Sequence, residues 1–186
     1  MRRVFRKDDV RSLSRRYFVA NGFDGTLTTI GVVVGAYLSG IDDGMTVIAI
    51  GLGAAVGLGT SGVWSVWEIE RAETSRTQER LEAAMLTSLD DTLLTRDLRN
   101  EQIVLALAAA TGPIIAILLM LTPFLFVDLG INILGATLVS IVLGVTLLGI
   151  VGAYMGHISK QRWWVAAIRM GLAGLVVALI SIFLPG

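Results

Sequence analysis

Three oxygen-bearing side chains recur on one face of an apolar stretch near the start of the chain. Asn21, Asp24 and Thr28 are spaced three and four residues apart, which places them on one face of a helix. Carboxylate, amide and hydroxyl oxygens suit hard or borderline divalent cations, and the carboxylate can bind a proton instead. The spacing therefore predicts a site where a divalent cation and a proton compete for Asp24.

The surroundings of Asp24 make this hypothesis stronger. The carboxylate lies within Tyr17–Gly40, a stretch long and apolar enough to cross a bilayer. An ionisable group in hydrocarbon costs from about 2.5 to more than 10 kcal/mol, and such groups usually mark an ion or proton path. The alternative is a buried structural aspartate that is hydrogen-bonded to neighbouring backbone. The rarity of intramembrane acids favours the functional interpretation.

A second candidate cation site lies further along the chain. Glu70 and Glu73 are three residues apart, as are Glu79 and Glu82, so each pair shares a helix face. Clustered carboxylates repel one another unless a cation lies between them, which makes this a candidate metal-gathering surface. The alternative is a solvated helix with local ion pairs, such as Glu79 with Arg76. For these pairs taken alone, the alternative is favoured.

The elements that must position these residues are membrane spans. The 186 residues have a mean hydropathy of +0.75 and only 16% are charged, against about 25% in soluble domains. Five apolar segments are near or above the roughly 20 residues of a spanning helix, and they cover residues 18–40, 45–67, 103–127, 131–156 and 163–184. The sequence therefore predicts an all-α protein, with residues 1–186 forming a single five-helix membrane domain.

Residues 68–102 form the one sizeable link between the predicted spans. The link contains nine acidic residues and five arginines, a net charge of −4. Its leucines and methionine recur every four residues at Leu81, Met85, Leu89 and Leu93, a helical stripe. We expect a helical continuation of the second span, followed by a second amphipathic helix.

The distribution of Lys and Arg residues predicts the membrane topology. All 15 Lys and Arg residues lie in the N-terminal segment, in the 68–102 link, or near residues 160–169, and the other two links have none. The positive-inside rule therefore predicts a multi-pass cell-membrane protein with a cytoplasmic N-terminus and an external C-terminus. The basic segment 1–16 leads into a full-length span without a cleavage site, so we do not expect a cleaved signal peptide.

Enzymatic chemistry finds little support. The chain has no cysteine, and its one histidine, His157, is expected at a membrane interface. The segment around Asp24 resembles the D-x-D-G-T motif of haloacid-dehalogenase phosphatases, but Gly22 stands where that motif has its nucleophile. An intramembrane hydrolase would need a second carboxylate or a nucleophile facing Asp24, and no span supplies a convincing one. We expect neither catalysis nor a permanently bound cofactor.

A family resemblance joins these observations. Asn21–Gly35 resembles the N-D-G-x-x-(S/T)-T-x-G-x-x-x-G first helix of the vacuolar iron transporter family. Ile69–Glu73 resembles the end of that family's second helix in its microbial branch, and Gly149–Gly156 with residues 163–182 resemble its last two helices. The resemblance follows the same order of elements over most of the chain.

The resemblance implies a five-helix homodimer that exports iron(II) or manganese(II) from the cytoplasm in exchange for protons. Asp24 matches the family's ion-path aspartate. The metal-gathering role would fall to the four glutamates of the link, Glu70, Glu73, Glu79 and Glu82.

Two departures from the family's sequence pattern leave another function open. The link is short, and Val66 stands where the family often has a methionine. The alternative is a non-transporting scaffold or metal sensor whose cytoplasmic helices bind metal or a partner.

Overall fold

The protein is a bundle of long helices. A computed structural model describes residues 2–86 and 93–183, and no strand occurs within those ranges. The five α-helices are α1 (Arg2–Leu38), α2 (Gly44–Met85), α3 (Leu93–Leu121), α4 (Ile133–Ile158) and α5 (Trp163–Phe183), and a 3₁₀ turn covers Thr122–Phe126. All five α-helices are long and apolar enough to cross a membrane, which confirms the all-α, five-span prediction.

Helices α1 and α2 extend well beyond the apolar segments. The basic segment that precedes the first span is itself helical, since α1 begins at Arg2. Helix α2 starts after the N-cap residue Asp43 and continues to Met85, so the first half of the link prolongs the second span. Leu89, part of the expected apolar stripe, lies outside the described residues. From Leu93 onward, the link belongs to the same helix as the third span.

Helix α3 lies at the centre of the bundle. Half of its most apolar window is buried in the protein, compared with 17% for α5. Ile117 and Phe124 pack with α1, α2 and α4 in one apolar cluster, while Met120 packs with α1 and α5 in another. Since α3 contacts α1, α2 and α4, it fixes the position of the helix that carries Asp24.

The two prolines of the third span act differently from each other. A proline inside a helix can bend or interrupt it, but α3 continues through Pro113 to Leu121. Pro123 lies in the first turn of the 3₁₀ segment, where a missing backbone N–H costs little. The third span therefore changes from α-helix to 3₁₀ helix only after Leu121.

Glycines spaced four residues apart let helices approach closely, and the pairs in α2 and α4 face different surroundings. A Cβ added at Gly152 would lie 2.5 Å from the Ala166 carbonyl oxygen, so this residue allows α4 and α5 to touch. In α2, Gly53 and Gly57 have nothing within 4 Å of an added Cβ. The α4 pair therefore serves contacts within the protomer, whereas the α2 pair faces outward.

Candidate cation path

Asp24 lies on the outer surface of the bundle. Its side chain is exposed, and within the described chain no group donates a hydrogen bond to its carboxylate. It precedes the end of α1 at Leu38 by 14 residues, a rise of about 21 Å. A hydrocarbon core is about 30 Å thick, so the carboxylate is at membrane depth while facing away from its own protomer.

Two glycines of the first-helix motif determine this orientation. A Cβ added at Gly25 would lie 2.6 Å from Cα of Pro113, and one added at Gly22 would meet the backbone of Gly112 at 3.5 Å. These glycines let α1 and α3 approach closely. Because this side of α1 is occupied by α3, Asp24 points to the opposite side.

The threonines of the motif divide between the two sides of α1. Thr26 and Thr29 are buried, and their hydroxyls donate to backbone carbonyls one turn earlier, at 2.8 and 2.7 Å. Both hydroxyls are thereby satisfied within the helix. Thr28 is exposed, and its spacing from Asp24 places it on the same face. Of these three hydroxyl groups, only that of Thr28 is available beside Asp24.

Polar groups continue from Asp24 towards α2. The Asn21 amide nitrogen donates to the Tyr17 carbonyl at 2.9 Å, which leaves its side-chain oxygen for other contacts. The Tyr17 hydroxyl donates to Oε1 of Glu70 at 2.8 Å. Tyr17, Asn21, Asp24 and Thr28 therefore form a polar strip on α1 that meets α2 at Glu70. Sequence reasoning did not include Tyr17 among the candidate site residues, although its spacing of seven residues from Asp24 could have indicated the shared face.

The strip continues in the other direction as an open surface. Gly31 and Gly35 follow Asp24 by seven and 11 residues, which keeps them near the same side of α1. A Cβ added at Gly35 would meet nothing within 4 Å, and one at Gly31 would meet only Ser181, at 3.9 Å. A second helix can therefore approach this side of α1 closely.

An acidic cavity lies at the end of the strip that carries Tyr17. It has a volume of about 250 Å³ and lies between α1, α2 and α3, with four carboxylates in its lining, from Asp9, Glu70, Glu73 and Glu101. Sequence reasoning predicted Glu70 and Glu73 as a pair but missed Asp9 and Glu101. Those two lie on different helices, and no spacing rule links them to Glu70.

The other two predicted glutamates lie elsewhere on α2. Glu79 and Glu82 are outside the described lining of the acidic cavity, and Glu82 accepts a hydrogen bond from Gln78 at 2.9 Å. Arg76 pairs with Glu73 at 3.7 Å, whereas the alternative interpretation had suggested Glu79. Within residues 2–86 and 93–183, no three His, Asp or Glu side chains are grouped closely enough to hold a metal ion. The described part of the chain thus presents separate carboxylates rather than a complete metal centre.

Val66 and His157 lie away from the strip. Val66 is 2% exposed and packs with Leu105 and Ala109 of α3. His157 is exposed in the last turn of α4. Neither side chain takes part in the polar strip.

Comparison with known proteins assigns the chain to a family. The VIT family matches residues 66–185, nearly two thirds of the chain. An uncharacterized protein of Methanocaldococcus jannaschii is 29% identical over 168 residues, which cover 89% of this chain and 85% of that protein. A stretch of that length must extend into α1 and include all of α2, whereas the family match starts within α2. The chain belongs to the VIT family, a family of membrane transporters of metal ions.

Proposed function

We propose that this protein exports divalent cations, iron(II) or manganese(II), from the cytoplasm in exchange for protons. The observation that carries the proposal is an unpaired carboxylate, Asp24, on the outer side of α1 at membrane depth. Contact with lipid would be costly for that group. A second copy of the chain, related by a two-fold axis, would cover it and place two Asp24 carboxylates opposite each other. Facing carboxylates repel unless a cation or proton lies between them.

The mechanism follows from the order of groups along α1. Cations gather at the acidic cavity, pass along Tyr17 and Asn21, and bind between the two Asp24 side chains. Protonation of Asp24 from the outside weakens cation binding and favours release there. The distribution of Lys and Arg residues predicts a cytoplasmic N-terminus. In that orientation the acidic cavity lies on the cytoplasmic side.

A flux assay tests this function. Purified protein in liposomes with an imposed proton gradient should take up manganese(II), and Asp24→Asn should reduce the rate to the background of empty liposomes. Asp42→Asn is the matched control, because Asp42 is an exposed carboxylate in the α1–α2 connection, and it should keep the wild-type rate. Uptake by Asp24→Asn at the wild-type rate would overturn the role of Asp24.

One observation favours the second candidate function, a metal sensor or scaffold without transport. The acidic cavity is formed within one protomer and does not involve Asp24, and Val66 supplies no soft sulfur ligand at its position in the second helix. Purified protein that binds manganese(II), loses binding on Glu70→Gln with Glu73→Gln, and shows no flux would select this candidate.

A further inference from the structure

A second cavity opens on the far side of α1 from Asp24. It lies between α1, α3 and α4 and has a volume of about 520 Å³; we refer to it as the α1–α4 groove. Arg15 lines it and precedes Asp24 by nine residues, which is two and a half helical turns and so places the two side chains on opposite sides of α1. A second protomer that covered Asp24 would leave this groove facing the membrane.

The walls of the groove are apolar. Phe18 and Val19 of α1 face Ile150 and Val151 of α4, with Ala108 of α3 between them. Ile150 is 62% exposed, so the groove opens to the side of the bundle. Such a surface fits hydrocarbon chains rather than water.

Two polar groups at one end of the groove lack partners. Nε of Arg15 and Oγ of Ser14 are buried and have no hydrogen-bond partner within the described chain. No carboxylate is among the described lining residues, so the guanidinium charge is not neutralised there. A buried donor without an acceptor is costly, and a phosphate in the groove would accept from both side chains once they turned towards it.

The depth of Arg15 matches a headgroup. It precedes Leu38, the last residue of α1, by 23 residues, a rise of about 35 Å. This slightly exceeds the hydrocarbon thickness of about 30 Å. Tyr154, half exposed at the same end of the groove, is a residue type enriched at this level.

We propose that the α1–α4 groove binds one anionic phospholipid, with its phosphate on Arg15 and Ser14 and its acyl chains along the walls. A zwitterionic lipid would bring a cation of its own to a groove that already carries one, so it should bind more weakly. In the orientation proposed above, this end faces the leaflet in which anionic lipids are common. The inference goes beyond cation transport and does not depend on it.

Native mass spectrometry of the full-length protein in detergent tests the proposal. With equal amounts of dioleoyl phosphatidylglycerol and dioleoyl phosphatidylcholine, the wild type should retain phosphatidylglycerol preferentially, at one per protomer. Arg15→Gln should reduce that retention about fivefold. Arg16→Gln is the matched control, since Arg16 is the next residue and lies outside the groove lining, and it should change retention less than twofold.

Further variants separate the groove from general attraction to anionic lipid. Ile150→Trp fills the groove without changing charge and should also lower retention. Equal losses in Arg15→Gln and Arg16→Gln, or unchanged retention in Ile150→Trp, would overturn the proposal. Thermal stabilisation by inorganic phosphate alone, to the same extent as by phosphatidylglycerol, would do so too. The chain has no cysteine, so cross-linking of Ile150→Cys between copies would show that a second protomer occupies the groove instead.

Discussion

Asp24 faces outward because its neighbours in sequence pack against α3 and into the bundle. Gly22 and Gly25 are used for the contact with α3, and Thr26 and Thr29 point into the bundle. The residues left for the opposite side of α1 are polar or small. A motif that looks like a cation-binding sequence is therefore in large part a helix-packing sequence, and the packing directs one carboxylate away from the protomer.

A different aspartate has a structural role at the other end of the first connection. Asp43 is the N-cap of α2, and its carboxylate accepts from the amide and hydroxyl of Thr46 and from the amide of Met45. These hydrogen bonds, those from the Thr46 side chain first, hold the pKa of Asp43 below its usual value. The charged form is thus the one that the folded protein favours.

A pH prediction follows for Asp43. Because the pKa is lowered in the folded state, the carboxylate stabilises the protein above its ordinary pKa, and this contribution is lost as pH falls through the folded-state value. Asp43→Ala should therefore lower the unfolding temperature in detergent at neutral pH, with a smaller difference in acid. Asp42→Ala, which removes an exposed carboxylate without a cap, should show little change. A deficit for Asp43→Ala that stays constant from neutral to acid pH would contradict this role.

At the scale of helices, the contact between α1 and α3 is the element on which the site depends. Gly25→Ala places a methyl group 2.6 Å from Cα of Pro113, and neither backbone can yield easily. We expect a loss of about 1–3 kcal/mol in the free energy of unfolding, as for other overpacked cores. Denaturation in mixed detergent measures it.

Gly149→Ala is the control for this substitution. Gly149 lies inside α4 with nothing within 4 Å of an added Cβ. Alanine should be neutral there or stabilise the helix by up to about 1 kcal/mol. Equal effects of the two substitutions would mean that helix propensity, and not the α1–α3 contact, decides the result.

The sequence predicts the spans well because hydropathy depends on each segment alone. All five helices are long and apolar enough to span a membrane, and α2 continues beyond Trp67 into a link that contains no Gly or Pro. Helix α1 starts at Arg2, well before the predicted span, because hydropathy identifies the apolar part of a helix and not its full length. Charged residues end a span without ending its helix.

The faces of the helices could be predicted only in part. The spacing of Asn21, Asp24 and Thr28 gives a shared side of α1, but it cannot say whether that side faces α3 or lies on the surface. The acidic cavity likewise combines Asp9 and Glu101 with Glu70, and their proximity depends on how three helices pack. Such contacts are set by tertiary structure, which residue spacing does not encode.

At the scale of the whole molecule, the open glycine surface of α1 at Gly31 and Gly35 indicates where a second copy would pack. Gly35→Leu adds a large side chain on the side of α1 that carries Asp24, where an added Cβ has no described atom within 4 Å. The fold should survive, but close approach of a second α1 should not. Light scattering in detergent should therefore give a dimer for the wild type and a monomer for the variant. Gly149→Leu, on the open side of α4, should remain dimeric, and a dimeric Gly35→Leu would place the interface elsewhere.

The position of the bound cation tests directly whether two Asp24 carboxylates form the transport site. Crystals of the full-length protein grown with manganese(II), measured with anomalous scattering at the manganese absorption edge, would locate it. Transport between paired Asp24 side chains predicts a peak on a two-fold axis between the Asp24 carboxylates of two protomers, and no such peak in Asp24→Asn. Peaks confined to the acidic cavity, with the two Asp24 side chains on opposite outer surfaces of the assembly, would contradict it.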